Sequence, residues 1–192
     1  MTAHNNILIT PLTAEAFAPF GDVIEAKSTN TFLINNGQAQ RFHDLAKIDV
    51  SMGDGRPLIS LVRSAPTQFP LTLKLVERHP LGSQAFIPLG NYQFLIVVAL
   101  TNSNDLPDTL HAFLSNGQQG INYKPGVWHH PLIVFDHTTD FLVIDRGGAG
   151  NNCDVVELDG NMVIEALAVD TKVSKKSYEF SVNGASQQCE LK

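Results

Sequence analysis

The chain has 192 residues, 43% of them apolar, which is enough to bury a core as one ordinary domain and excludes a disordered chain or a disulfide-stapled miniprotein. Its 13 basic and 19 acidic residues give a formal net charge of −6, with no basic run of even three residues, so nucleic acid is not an expected partner. The longest unbroken apolar run, residues 94–100, falls far short of the roughly 20 residues a membrane helix needs.

In chain order, the apolar run at 7–9 is too short for a signal peptide. Thr13-Ala14-Glu15-Ala16-Phe17-Ala18 reads as a short helix, with Thr13 as N-cap, Glu15 in the first turn and Pro19 and Gly21 as its stop. No second helix of that quality follows. Short runs rich in Val, Ile, Phe and Leu come instead, at 23–25, 31–34, 57–62, 71–77, 84–89, 93–100, 110–114, 132–135, 141–145, 155–158 and 163–169. Turn-forming residues separate them, as in Asn35-Asn36-Gly37, Gly53-Asp54-Gly55, Asn116-Gly117 and Gly147-Gly148. Many short strands at close spacing predict an all-β barrel or sandwich. Cys153 and Cys189 give neither a disulfide framework nor a metal-binding spacing, so a reduced, cytoplasmic protein is expected. The domain is expected to span 1–170, with the polar segment 171–192 as a tail or edge strand.

Four constellations can carry chemistry. In the run 71–77 and just beyond it, Leu71, Leu73, Leu75, Glu77 and His79 share one parity and hence one strand face, with Gln84 opening the next strand after a Pro80-Leu81-Gly82-Ser83 turn. Glu77, His79 and Gln84 then converge above an apolar face, a normal ligand-site arrangement. In Tyr123-Lys124-Pro125-Gly126-Val127-Trp128-His129-His130, adjacent histidines point to opposite faces, so one of them joins Glu77 and His79, and His129 is favoured narrowly. In Asp140-Phe141-Leu142-Val143-Ile144-Asp145-Arg146, Asp145 either reaches the cavity or braces a loop through Arg146. Arg41, His43 and Asp44 suit an inter-strand or subunit-interface network, and Arg63 at a strand end can anchor an anion. No Gly-rich phosphate loop, Gly-x-Ser-x-Gly, His-Glu-x-x-His or Cys-x-x-Cys occurs.

The spacing Glu77-x-His79-x4-Gln84 closing near Gly90 resembles the first cupin motif, with Glu77 where the family has its first His and Gln84 where it has Glu. Residues 120–130 resemble the second motif, one residue short between Pro125 and Gly126. Five separated stretches are similar to ureidoglycolate lyases. They are Pro11-Leu12-Thr13 with Phe20-Gly21-Asp22; Ile34-Asn35-Asn36-Gly37 with His43-Asp44-Leu45; Glu77-Arg78-His79-Pro80-Leu81-Gly82 with Gln84-Ala85-Phe86; Trp128-His129-His130-Pro131-Leu132; and Asp140-Phe141-Leu142 with Ile144-Asp145-Arg146-Gly147-Gly148.

The resemblance implies a homodimeric, cytoplasmic, jelly-roll-like cupin barrel that splits (S)-ureidoglycolate into glyoxylate and urea in allantoin breakdown. For that reaction the residues expected in catalysis are His79, Glu77, His129 and Gln84, with His79 or Glu77 as base and His129 as acid or the two exchanged, and those expected to bind substrate are Arg63, His130, Asp145 and Lys124. If a divalent ion such as Ni2+ is bound, Glu77, His79 and His129 are its expected ligands, as N/O donors suit it. The rival readings are a metal-dependent cupin acting on another small hydroxy acid and a non-catalytic small-molecule-binding cupin.

Overall fold

The computed structural model describes residues 5–27 and 29–165. The expected tail at 171–192, the end of the run 163–169 and Cys189 lie outside the described residues. In chain order the elements are β1 (Asn5–Asn6), β2 (Ile9–Pro11), α1 (Ala14–Phe17), β3 (Gly21–Ile24), β4 (Thr31–Ile34), β5 (Ala39–Phe42), β6 (Arg56–Ser64), β7 (Leu71–Thr72), β8 (Leu75–Arg78), β9 (Gln84–Pro88), β10 (Phe94–Ala99), β11 (His111–Leu114), β12 (Gly120–Tyr123), β13 (Trp128–His129), β14 (Ile133–Val134), β15 (Thr139–Gly147), β16 (Asp154–Glu157) and β17 (Met162–Ile164). The architecture is all-β and cupin-like, and among the described residues no helix is long and apolar enough to cross a membrane.

The expected helix forms as α1. The Thr13 side chain accepts the Ala16 N–H at 3.1 Å, satisfying one of the free amides of the first turn. Its one buried residue, Phe17, packs edge-on against Phe113 and joins the main core.

Two large sheets face each other across that core. One runs β3-β12-β9-β15-β6; the other runs β16-β8-β13-β10-β11-β2, with β14 also paired to β10. Phe94, Ile96 and Val98 from β10 meet Phe86, Ile121, Phe141 and Val143 from the opposing sheet. The alternate β10 residues, Leu95 and Val97, face the other way and pack against Leu73, Ile133 and Ile164. Ile164 belongs to a small β1-β17-β7 sheet that covers this outer face. A strand covered on both sides needs apolar residues at every position, which explains the apolar run through residues 94–99.

The run 71–77 is not one strand. Leu73 donates its N–H to Met162 and the Lys74 carbonyl accepts from Leu158, so the chain passes from the small sheet to the large one between β7 and β8. The side-chain parity slips at this break. Leu71 and Leu73 pack with Leu95 and Val97 on the outer face and do not form the apolar floor expected beneath Glu77. Five strands, β1, β2, β5, β12 and β13, fall outside the expected runs because they are short and contain Pro, Gly or polar residues.

Candidate active site

β8 and β13 run antiparallel with Glu77 directly opposite His129, and Glu77 Oε1 lies 3.6 Å from His129 Nε2. His79, just past the end of β8, completes the group; its ring centroid is 5.2 Å from that of His129. One donor atom from each of Glu77, His79 and His129 lies within 4.8 Å of the others. On the opposite face of β8, Arg78 stacks over Trp128 at 4.5 Å and pairs with Asp105 and Asp154. That clamp grips from behind the two strands that carry the site.

The hydrogen bonds fix the tautomers. His79 Nδ1 lies 2.6 Å from the Asn152 carbonyl, and His129 Nδ1 lies 3.0 Å from that of Val127. A carbonyl only accepts, so each Nδ1 carries a proton, and in the neutral form of either ring Nε2 is the atom left with a lone pair. Both Nε2 atoms are buried without a hydrogen-bond partner in the protein. The neighbouring His129 ring holds the Glu77 carboxyl below the usual carboxylate range, partial burial opposes this, and the charges of His129, His79 and His130 reinforce it.

Tyr123 of the facing sheet stacks on His129, with centroids 4.3 Å apart and planes 14° from parallel. Burial, and secondarily the Glu77 charge, push its hydroxyl well above the usual phenol range, so it remains a neutral hydroxyl. Burial pushes the His130 imidazole down, while its Nδ1 bond to the Pro131 carbonyl partly opposes this.

A cavity of about 520 Å³, lined by Glu77, His129 and His130 with His79 set behind them, lies against the β6, β9, β12 and β15 wall. That volume is ordinary for a small-molecule site. Phe86, Tyr123 and Val143 form its apolar lining, and Ser60 and Val62 of edge strand β6 border it where side chains are exposed to solvent. Gln84 pairs with Tyr123 across the sheet, and both face the cavity. Asp145 also lines it, with Oδ1 buried and unpartnered. Loop bracing falls to Arg146, which donates to the carbonyls of Met52, Gly53 and Ala149.

Both histidines of the pair line the cavity, but only His129 joins Glu77 and His79. Strict alternation stops at His129, the last residue of β13, so His130 is free to turn toward the same space. Arg63 borders the cavity, with its Nε and Nη2 engaged by Asp140 at 2.7 and 2.9 Å. Lys124 is not among the lining residues. Tyr123 points inward, so its neighbour points away, and Lys124 Nζ donates to the Ala18 carbonyl. Two residues of the site carried no role in the sequence reading. Tyr123 sits in a strand hidden behind a glycine start, and Asn152 comes from a distant loop with no local signal.

The donor set suits a divalent ion. Two neutral imidazole Nε2 atoms without protein partners converge with a carboxylate, and each ring is oriented through Nδ1 by a backbone carbonyl. That second contact is the usual support of metal-ligating histidines. Gln84 is not part of this group.

The family model described as ureidoglycolate lyase matches residues 4–165. A Pseudomonas entomophila (strain L48) protein named ureidoglycolate lyase is 52% identical over 77% of this chain and 89% of its own length. A Stutzerimonas stutzeri (strain A1501) protein of the same name is 49% identical over 77% of this chain and 87% of its own. One from Pseudomonas aeruginosa (strain LESB58) is 51% identical over 76% and 86%. With a family match covering most of the described fold and relatives near half identity along it, the chain belongs to the ureidoglycolate lyase family.

Proposed function

We propose that this chain cleaves ureidoglycolate to glyoxylate and urea. The observation that carries the reading is the convergence of Glu77, His79 and His129 beside a substrate-sized cavity, which Glu77 and His129 line with His79 packed against them, in a member of this family. Ureidoglycolate carries a hydroxyl, a carboxylate and a ureido nitrogen on one carbon. Collapse to an aldehyde needs a base at the hydroxyl and an acid at the departing nitrogen, and it consumes no water.

His79 Nε2, a bare lone pair, takes the hydroxyl proton. The carbon–nitrogen bond then breaks as the carbonyl forms, and His129 Nε2 in its protonated form gives its proton to the nitrogen. Glu77, 3.6 Å from that atom, stabilises the charged imidazole before transfer. Tyr123 stacked on His129 keeps the ring in place, and the apolar lining limits water at the reacting carbon. A divalent ion held by Glu77, His79 and His129 would occupy both Nε2 lone pairs, and would then supply positive charge at the developing alkoxide in place of proton transfer by those rings.

The finer points rest on the family resemblance: the (S) isomer, a place in allantoin breakdown in the cytoplasm, and a homodimer. An apolar outer sheet face supports the dimer, with Ile59 at 75% and Leu61 at 72% exposed on edge strand β6. The test is turnover of ureidoglycolate by the purified protein and by His79→Ala. Release of glyoxylate and urea by the parent, and loss of at least about a hundredfold in the folded variant, is expected. Full activity in a folded His79→Ala protein contradicts the reading.

A further inference from the structure

The cavity has two chemically different sides, and the difference orients the substrate. On the β8–β13 side stand the groups that exchange protons. On the facing sheet, Gln84 is paired with Tyr123, and the β9–β15 register Ile144↔Ala85 carries Asp145 to the position beside Gln84 one step further along. Cross-strand neighbours on one face stand about 4.5–5.5 Å apart at Cβ, so these two side chains form one rung of the cavity wall. Each leaves a buried acceptor without a donor in the protein, Oε1 of Gln84 and Oδ1 of Asp145. Buried acceptors are costly when unpaired, so a bound molecule should bring N–H or O–H groups to this rung.

Resting on the reading of the site proposed above, we infer that the Asp145–Gln84 rung receives the ureido end of the substrate. The ureido group is the only part of ureidoglycolate with several N–H donors, and a carboxylate beside Asp145 would be repelled. The substrate carboxylate therefore lies away from this rung, and the departing urea is held by the acceptors that bound it as part of the substrate. The rung sets specificity for a terminal NH2 and takes no part in proton transfer.

The experiment compares two inert molecules that lack the reactive hydroxyl. N-carbamoylglycine ends in the ureido NH2, and N-acetylglycine carries a methyl group in its place. Calorimetric binding to the wild-type protein should favour N-carbamoylglycine by at least about tenfold, because the methyl group leaves the rung's acceptors unpaired. In Asp145→Leu, and independently in Gln84→Met, this preference should fall to below about threefold. Equal binding of the two molecules by wild type overturns the inference without any variant having to fold. So does a preference that survives both substitutions. Cleavage of ureidoglycolate, measured on the same wild-type preparation, separates this outcome from failure of the function itself: an active enzyme without the preference refutes only the orientation.

Discussion

Replacing His129 by Asn separates what the ring holds up from what it does. Asn has the same bond path from Cβ to its amide nitrogen as His has to Nδ1, so the donor to the Val127 carbonyl can be kept. Nothing in Asn replaces Nε2, the atom 3.6 Å from Glu77. His129 is 2% exposed and stacked on Tyr123, so the lost ring area costs about 1–3 kcal/mol of stability. The lost proton-transfer group costs about 10²–10⁴-fold in kcat. At 1.36 kcal/mol per factor of ten, that is about 2.7–5.4 kcal/mol of transition-state stabilisation. Urea melts give the first quantity and initial rates of urea release the second. A folded His129→Asn protein within about fivefold of the parent kcat would refute proton transfer at Nε2.

Three further outcomes follow from neighbouring contacts. In Gly82→Ala, the new Cβ would stand 2.6 Å from Arg146 Cβ, an atom next to the backbone that cannot swing away. A loss of about 1–3 kcal/mol is expected, and an unchanged melting midpoint would contradict it. Asp105 is held below the usual carboxylate range, chiefly by its hydrogen bond from Arg78. Its contribution is therefore complete above the unfolded value of 3.8 and is lost as pH falls through the folded value. The stability advantage of wild type over Asp105→Asn should shrink on acidification below about pH 4 in urea melts, and an advantage that grows there would contradict the sign. Chelator-treated protein titrated calorimetrically with nickel should bind one equivalent, weakened at least about tenfold by Glu77→Gln. Absence of saturable binding would argue against the donor set.

The sequence made the site more legible than the fold around it. Two-residue periodicity placed Glu77 and His79 together because β8 is regular through Arg78 and His79 follows directly on its end. The same rule failed for Leu71 and Leu73, since the chain changes sheets between β7 and β8 and the parity slips. Adjacent histidines were expected on opposite faces, yet both line the cavity because β13 ends at His129. Lys124 was misplaced for a simpler reason. Its inward neighbour Tyr123 lies in β12, whose residues 120–123 begin with Gly and include Asn, and so lack the signature of a strand. Asn152 orients His79 through a backbone carbonyl, which any residue type supplies, so no side-chain pattern could announce it. Asp145 was left between two roles that the structure divides, the cavity taking Asp145 and the loop taking Arg146.

Carbon NMR of racemic ureidoglycolate incubated with the purified protein tests the central claim most directly. The account predicts glyoxylate and intact urea appearing together, with half of the substrate left untouched. Release of ammonia and carbon dioxide in place of urea would contradict a lyase, and so would a folded protein that leaves both enantiomers intact.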